Sequence, residues 1–391
     1  MIKYFLRYVG QTSPKPMGIE VERAEGIYLY SPDNRRYIDL ISGVSVSNVG
    51  HSNKRVVEAV CAQAQKYMHL MVYGEMIQTP QIEIARKISK YLPDGIDNIY
   101  LVNSGSEAIE GAMKLAKRYT GRTELISCKN SYHGSTQGAL SIMGSEFFKN
   151  SFRPLLPDVG QIVFNDIDSL SAISERTAAV IIEPIQGEGG FRIPTAEFIA
   201  ALRQKCDETG TLLIFDEIQT GFGRTGKMFA WEKIGVKPDI ICMAKAMGGG
   251  MPLGGFAATK EMMDTLTFNP VLGHITTFGG HPVSAAAGLA AIEYIEDEKL
   301  LDAIESKSQL FYDLLKNAKN LKEIRRCGLM IAMDFGSEEV RDKIVARAVD
   351  MGVVTEGFLF CTDALRVAPP LIISEDEIRS CCSILLKACE I

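Results

Sequence analysis

Several features are missing from this sequence, and each absence excludes a class of protein. Basic and acidic residues are intermixed along the 391 residues with a net charge of −6, so there is no basic stripe that could follow a phosphate backbone. No uninterrupted apolar run approaches the roughly 18 residues of a membrane-spanning helix. We therefore expect neither nucleic acid nor a membrane as a partner.

The cysteine pattern of a secreted protein is also missing. The nine cysteines form no CxxC pair, and an odd number in a long chain indicates reduced thiols rather than a disulfide framework. The stretch Met1–Gly10 is too short for a signal peptide and is interrupted by Lys3 and Arg7. We therefore expect a cytoplasmic protein, and we predict no metal site.

The two ends of the chain predict a mixture of strands and helices. Residues 19–40 contain three short alternating runs separated by turn signals, which is typical of an antiparallel meander. Amphipathic helices are predicted from Asn53 and from Thr79. After Pro282, helices alternate with further strand patterns until a last helix that begins at Ser374.

The middle of the chain has a different pattern. Between about residues 99 and 258, short apolar runs rich in β-branched residues alternate with helical segments. Runs that are apolar on both faces predict a parallel sheet covered by helices. A chain of 391 residues is longer than one hydrophobic core usually organises, so we expect more than one domain. We predict a large α/β domain over residues 56–281. Residues 1–55 together with 282–391 form a predicted smaller α+β domain.

Three of the apolar runs end in a charged residue, namely Glu183, Asp216 and Lys245. The carboxyl ends of parallel strands line the ligand crevice of an open sheet, so two carboxylates and an amine would converge there. A single charged residue after a strand is usually a solvated loop residue. The three together favour a site.

A small polar loop, Asn103–Ala108, lies between a predicted strand and a predicted helix. A turn of this kind presents free backbone N–H groups and the positive end of the helix dipole to an anion, so it suits a phosphate. Taken alone, a loop of this kind is more often a well-capped helix start without a ligand.

An amine, two carboxylates and a phosphate site fit one cofactor. The desolvated amine of Lys245 can lose its proton and condense with an aldehyde. Asp216 facing a pyridine nitrogen would keep that nitrogen protonated and make the ring an electron sink. The glycine-rich segment 248–255 would let backbone approach such a ring, and Tyr132 offers an aromatic face, although it could equally be a core residue. The pattern predicts pyridoxal phosphate.

These residues resemble the class III, or ω-amino-acid, aminotransferases of the fold type I pyridoxal phosphate enzymes, a family with ornithine, acetylornithine and 4-aminobutyrate aminotransferases. The resemblance runs from about residue 48 to residue 371. It is densest in the segments EPIQGEGG (183–190), DEIQTGFGRTG (216–226) and AKAMGGG (244–250). It implies an α/β fold with a mostly parallel sheet in the large domain and a smaller α+β domain.

The resemblance also implies roles for single residues. Around the cofactor it places Gly105 and Ser106 at the phosphate, Tyr132 on the ring, Asp216 at the ring nitrogen, Gln219 near the ring hydroxyl and Lys245 as the Schiff-base lysine. Glu183 completes the predicted cofactor-binding set. Thr277 matches a threonine that reaches the phosphate of the neighbouring subunit, which implies a homodimer with shared active sites.

Two further residues would serve the substrates. Arg366 matches the arginine that binds the substrate α-carboxylate, a role that suits its planar fork. Glu188 matches a glutamate that pairs with this arginine when an ω-amine is bound and releases it for an α-keto acid. The alternative is an ordinary ion pair without a switching role.

The sequence departs from the family at two substrate positions. Ser135 stands where many relatives have an arginine that binds a distal carboxylate, and losing such a charged hydrogen bond costs about 1.5–3 kcal/mol. Val44 stands where ornithine-specific members have tyrosine. Arg153 or Arg192 is a possible substitute for the missing cation. Our hypothesis is an amino donor without a second carboxylate, such as a diamine, a lysine-like or a hydrophobic ω-amino compound.

We therefore predict an aminotransferase that moves an amino group from an amino acid or ω-amine to an α-keto acid by a ping-pong route. One alternative is an aminomutase of the glutamate-1-semialdehyde type, but its members do not usually carry the segment QGEGG found at 186–190. The other is a non-catalytic subunit that kept the fold and binds the cofactor. The intact set of Lys245, Asp216 and Arg366 argues against it.

Overall fold

The computed structural model describes residues 1–72 and 74–391 of the chain, and its strands form three sheets. The strands are β1 (Arg23–Glu25), β2 (Tyr28–Tyr30), β3 (Arg36–Asp39), β4 (Asn98–Val102), β5 (Glu124–Cys128), β6 (Val159–Ile162), β7 (Thr177–Ile182), β8 (Leu212–Asp216), β9 (Ile240–Met243), β10 (Gly254–Ala258), β11 (Glu323–Cys327), β12 (Met330–Asp334), β13 (Val353–Val354) and β14 (Ala364–Val367).

Helices connect these strands and cover the sheets. They are α1 (Ile2–Tyr8), the one-turn α2 (Ser42–Ser45), α3 (Lys54–Lys66), α4 (Thr79–Ser89), α5 (Gly105–Thr120), α6 (Gln137–Ser141), α7 (Glu146–Lys149), α8 (Ala196–Thr209), α9 (Trp231–Ile234), α10 (Lys260–Asp264), α11 (Pro282–Asp297), α12 (Ile304–Leu315), α13 (Glu338–Asp350) and α14 (Glu375–Ala388). Short 3₁₀ segments lie at Asn150–Phe152, Asp168–Ala172, Lys245–Gly248, Thr265–Thr267 and Leu300–Ala303.

The largest sheet has seven strands in the order β4-β10-β9-β8-β7-β5-β6. The neighbours from β9 to β6 pair in parallel, whereas β10 is antiparallel to both β4 and β9. The α/β fold with a mostly parallel sheet is therefore confirmed. The apolar runs in the sequence do not predict β10, since its residues GGFAA are mostly glycine and alanine.

Packing on both faces explains why the central strands are apolar throughout. Along β8, Ile214 packs in the core on the side of α5, whereas Leu213 and Phe215 pack in the core on the side of α8. Both helices are bounded by local signals. The Ser104 side chain caps α5 and the Thr195 side chain caps α8, and each helix ends at a glycine in the left-handed region. This packing holds the strand ends in fixed positions.

The two smaller sheets come from the ends of the chain. The meander predicted over residues 19–40 is present as β1, β2 and β3, and β13 adds to β3 in parallel, with Val353 opposite Ile38. The other sheet has the order β11-β12-β14. The domain boundary at residues 281 and 282 stays a prediction. Just beyond it, α11 packs on α3, α4 and the Lys245–Gly248 turn.

Arg224 ties these parts together from a fully buried position. Its guanidinium donates to the carbonyl oxygens of Leu329 and Pro369, to Ser42 Oγ and to Asn48 Oδ1. Burial lowers the pKa of Arg224 to about 9. Because these partners come from three separate stretches of chain, one side chain fixes their relative positions.

No helix among the described residues is both long enough and apolar enough to cross a lipid bilayer.

Candidate active site

A cavity of about 1160 Å³ lies at the carboxyl ends of β7, β8 and β9. Glu183, Asp216 and Lys245 all line it, so the three charged strand ends converge as the sequence predicts. The other predicted site residues that line the cavity are Gly105, Ser106, Tyr132, Glu188, Gln219 and Arg366. Thr277 is exposed and is not one of the lining residues of this chain.

Lys245 lies one residue beyond the end of β9 and begins the Lys245–Gly248 turn with a positive φ of 50°. Burial lowers the pKa of its amine, the carboxylate of Glu188 opposes this shift, and the cation of Arg366 adds to it. An amine with a lowered pKa has a larger neutral fraction near pH 7. The amine of Lys245 is therefore suited to act as a nucleophile.

Asp216 is paired with a residue that the sequence does not single out. Its Oδ2 lies 2.7 Å from Nδ1 of the buried His133, and its Oδ1 accepts the backbone N–H of Ile218 at 3.1 Å. Burial alone would lower the pKa of His133, but the hydrogen bond and charge of Asp216, together with the charge of Glu183, raise it. This hydrogen bond fixes the orientation of the Asp216 carboxylate.

Glu183 organises the loops beside this pair. Its two carboxylate oxygens accept the backbone N–H of Tyr132 at 3.2 Å and that of Gly187 at 3.0 Å, and burial raises its pKa to about 7. A side chain on Gly187 would clash with the Gln219 amide. The buried Nε2 of Gln219 has no hydrogen-bond partner among the described residues, so it is available to a ligand.

The predicted phosphate loop lies at the start of α5. Ser104 Oγ accepts the N–H of Glu107 at 3.2 Å, and Glu107 Oε2 accepts the N–H of Asn103 at 2.7 Å, which fixes the turn. A Cβ on Gly105 would lie 2.9 Å from Ile218, so only glycine fits here without displacement. Asn103 also donates to Thr276 Oγ1 at 3.0 Å, which brings the loop containing Thr277 to the edge of this turn.

Arg366 and Glu188 form the predicted ion pair on another wall. Arg366 Nη2 donates to both Glu188 oxygens, at 2.7 and 2.8 Å, and the Phe358 ring lies under the guanidinium at 4.7 Å. Arg366 is 1% exposed. Its Nη1 and Nε have no hydrogen-bond partner among the described residues. Glu356 Oε1, which the sequence does not single out, lies 3.5 Å from Nε.

Of the two departures from the family pattern, Val44 lines the cavity and Ser135 contacts Tyr132, which lines it. Ser135 Oγ is 3.2 Å from the Tyr132 hydroxyl and offers no positive charge there. Val44 lines the cavity from the one-turn α2, where it has a φ of 60° and ψ of 56°, a left-handed conformation that is rare for a β-branched residue.

Neither proposed substitute for the missing arginine lines this cavity in the part of the chain that the structure describes. Arg153 is exposed and pairs with Glu146 at 2.6 Å, and Arg192 is bridged through its backbone to Gln186. The lining cations are Lys15, Lys245, Arg341 and Arg366.

The residues at the floor fit pyridoxal phosphate. The site offers a small-residue turn at a helix N-terminus for an anion, a buried carboxylate for a protonated ring nitrogen, and a desolvated lysine for an aldehyde. The unpartnered Nε2 of Gln219 adds a donor that this ligand would satisfy.

Comparison with known proteins agrees with this chemistry. The family model described as aminotransferase class-III matches residues 9–389. The chain is 39% identical over 368 residues to an acetylornithine aminotransferase of Methanopyrus kandleri, covering 93% of this chain and 92% of the relative. It is 39% identical over 390 residues to the enzyme of the same description from Methanosarcina mazei, with 98% and 94% covered.

Two solved structures with a similar fold are aminotransferases. One from the marine bacterium Virgibacillus has a TM-score of 0.93 at 27% identity, covering 99% of this chain and 97% of that one. The ornithine aminotransferase of Toxoplasma gondii, described with PLP at partial occupancy in its active site, has a TM-score of 0.90 at 28% identity, with 99% and 93% covered.

Proposed function

The chain belongs to the class III aminotransferase family, and from that premise we propose which of its residues carry the transfer. It is a pyridoxal-phosphate-dependent aminotransferase, and the aminomutase alternative is not better supported. When bound, the cofactor supplies an aldehyde for the donor nitrogen and an electron-withdrawing ring. The observation that carries the assignment of residues is the convergence of Lys245 and Asp216 in one cavity.

Lys245 is the proposed point of covalent attachment and the proposed base. Its amine, kept neutral in part by burial, can attack an aldehyde and, once released, can take a proton from the donor carbon and return it. Asp216 is the proposed partner of the ring nitrogen. The His133 ring, 2.7 Å away, holds the carboxylate in place, so Asp216 can keep a proton on the nitrogen it faces.

Other residues would orient the cofactor. Gly105 and Ser106 at the start of α5 are the proposed phosphate site, because backbone N–H groups there face the cavity from the positive end of a 16-residue helix. Tyr132 is proposed for the ring face, Gln219 for the ring hydroxyl, and Glu183 to hold the loops that carry them.

Glu188 and Arg366 let one wall accept two kinds of substrate. With an amine donor, the carboxylate of Glu188 neutralises Arg366, as in the structure. With a keto acid, Glu188 would turn away and leave the guanidinium to the incoming carboxylate. Removing Glu188 exposes the Nη2 donor beside the already unpartnered Nη1, which gives the two-pronged edge that a carboxylate prefers.

The proposed donor lacks a second carboxylate. Relatives of this chain are described as acetylornithine aminotransferases, but Ser135 offers no cation for a distal carboxylate. Steady-state rates on a panel of a diamine, lysine, 4-aminobutyrate, glutamate and acetylornithine test this. A clear preference for glutamate, the member of the panel with two carboxylates, would refute it.

The attachment of the cofactor has a direct test. The purified protein should show a yellow absorbance band that borohydride abolishes, and mass spectrometry should then find the cofactor on the peptide containing Lys245. The Lys245→Ala variant should lose both signals, whereas Lys260→Ala, an exposed lysine on α10, should keep them. Covalent attachment through a different side chain would overturn the assignment.

We also propose a homodimer in the cytoplasm. The loop that contains Thr277 exposes Phe268, Val271, Leu272, Ile275 and Phe278, an apolar surface that a second copy would cover. Thr277 would then reach the phosphate site of that copy. Sedimentation analysis should give twice the mass of the chain, and a monomer at all concentrations would refute the dimer. The nine free thiols suit a reducing compartment.

A further inference from the structure

The one-turn α2 has an unusual backbone. Four consecutive residues, 42–45, have positive φ values between 49° and 64°. The backbone N–H of Ser45 donates to the carbonyl oxygen of Ile41 at 3.1 Å, and that of Val46 donates to Ser42 at 2.8 Å, so the segment is a turn of left-handed helix. L-amino acids visit this region as single residues and rarely in succession, because Cβ comes too close to the following carbonyl oxygen. This turn therefore needs support from the residues around it.

Asp39, the last residue of β3, contacts the start of this turn. Its Oδ1 accepts the backbone N–H of Ile41 at 2.8 Å and that of Ser42 at 2.9 Å. Its Oδ2 lies 2.8 Å from Nε2 of His51, whose backbone is bridged to Gly26. Asp39 is only 3% exposed, so these bonds are shielded from competing water. One carboxylate therefore fixes two backbone N–H groups where the turn begins.

The turn lies between Asp39 and the proposed reacting groups. Val44, at its centre, lines the cavity, and the turn lies against the Lys245–Gly248 turn. The Oγ of Ser42 donates to the carbonyl oxygen of Ala368, just after β14, at 2.7 Å. Asp39 is not one of the described residues that line the cavity. It can therefore influence a bound substrate only through the position of the turn.

We propose that Asp39 is a positioning residue for the amino transfer, which holds residues 42–45 in the left-handed turn and so keeps Val44 at the cavity wall. The proposal rests on the proposed function, in which the neighbouring Lys245 reacts. Hydrogen bonds from two backbone N–H groups to a carboxylate offset the backbone cost of the turn. Without them the turn relaxes and this part of the wall withdraws. Only the molecules that keep the turn then bind the donor well, so the apparent affinity falls with their fraction.

The donor half-reaction of the holoenzyme, followed by cofactor absorbance, separates binding from chemistry. The probe is the fastest donor among a diamine, lysine, 4-aminobutyrate, glutamate and acetylornithine. Asp39→Ala should raise the donor concentration at half-maximal rate about tenfold and change the limiting rate less than about twofold. Asp39→Asn keeps an oxygen for the two N–H groups and should restore that concentration to within about threefold of the parent.

Asp239→Ala is the matched control. Asp239 accepts the backbone N–H of Leu213 at 2.7 Å and pairs with Arg203 at 3.0 Å. It therefore resembles Asp39 in its contacts, but it lies at the amino ends of β8 and β9, opposite the cavity. This variant should leave both constants unchanged.

A glycine substitution identifies the turn as the cause. Ser45 has a φ of 64°, and its buried Oγ has no hydrogen-bond partner among the described residues. Ser45→Gly therefore removes a left-handed backbone cost without losing a bond. Added to Asp39→Ala, it should return the half-maximal concentration to within about threefold of the parent. Ser47→Gly, which lies outside the left-handed stretch, should not do so.

An unchanged half-maximal concentration in Asp39→Ala, or a rise that Ser45→Gly does not correct, would overturn the proposal. If Asp39→Ala does not fold, His51→Ala takes its place, because it frees Oδ2. It should raise the same concentration about threefold, and an unchanged value would then be decisive against the proposal. Borohydride fixation of the cofactor on Lys245 in the parent separates these outcomes, because a parent without the fixed cofactor refutes the proposed function itself.

Discussion

The cavity has two ends that are built differently. At the end proposed for the cofactor, Asp216 ends the buried strand β8, Lys245 lies one residue beyond the buried strand β9, and Asp216 is hydrogen-bonded to His133. At the substrate end, Arg366 meets Glu188 from a loop after β7 and Glu356 from a loop before β14. The first end is immobilised by a sheet packed on both faces. The second end depends on ion pairs that can exchange partners. We therefore expect substitutions at the first end to change the reaction rate and substitutions at the second end to change substrate binding.

The largest expected effect is at the cofactor end. Asp216→Asn keeps the shape but removes the charge, so the ring nitrogen that we propose for this position would lose its charged partner. The rate of the donor half-reaction, followed by cofactor absorbance, should fall about 10³-fold, within the range of a lost acid–base group. Asp264→Asn, at a half-exposed aspartate on α10 that pairs with Lys260, should have no effect. A loss of less than tenfold in Asp216→Asn would mean that the two ends do not differ as described.

A substitution at the substrate end should change KM for the keto acid rather than the rate of the donor half-reaction. Arg366→Lys keeps a positive charge but loses the planar fork. Losing a charged hydrogen bond of about 1.5–3 kcal/mol should raise KM for the keto acid by roughly 10- to 100-fold. The donor half-reaction should change little. Equal losses in both half-reactions would show that Arg366 serves the chemistry itself.

A smaller effect is expected at His133. His133→Asn keeps a donor for Asp216 but removes the imidazolium, and the donor half-reaction should slow by about tenfold. Because the folded pKa of His133 is raised, its stabilisation is complete below the unfolded value of about 6.5 and is lost as the pH rises through the folded pKa.

Denaturation over a range of pH checks this linkage. The parent should exceed His133→Asn in free energy of unfolding by more at about pH 6 than at about pH 9. A difference that stays constant over that interval would show that His133 does not gain its proton through folding.

The smallest effect concerns the left-handed turn at the substrate end. Val44→Gly removes a β-branched side chain from φ 60° and should stabilise the protein by about 1 kcal/mol in urea denaturation. Val46→Gly is the matched control, because Val46 has a right-handed backbone with φ −91° and glycine there should destabilise. A loss of stability in Val44→Gly would mean that contacts of this side chain outweigh the backbone cost.

The sequence predicts the cofactor end well for a physical reason. A run of consecutive apolar residues predicts a strand that is buried on both faces. The residue that follows such a strand in a parallel sheet lies at the ligand crevice. That rule places Glu183, Asp216 and Lys245 without knowledge of any contact. This rule does not find strand β10, because glycine and alanine have a low β-strand propensity.

The substrate end is harder to predict, because it depends on contacts between distant residues. Glu188 and Arg366 are 178 positions apart, and only the resemblance to a family pairs them. Glu356 looks like an ordinary loop acid until β14 brings Arg366 beside it. His133 has a local signal, since it adjoins Tyr132 in a site motif, but its bond to Asp216 spans 83 positions.

The pairing of β3 with β13 has a consequence for synthesis on the ribosome. One edge of β3 is covered by β2 as soon as the meander forms. The other edge stays unpaired until β13, with Val353 and Val354, has been synthesised. At about 5–20 residues per second, that strand emerges roughly 15 to 60 s later. During this interval the nascent chain presents an open strand edge near its amino terminus, so translation speed and chaperone access should affect the yield of this protein more than that of one whose early strands pair only with each other.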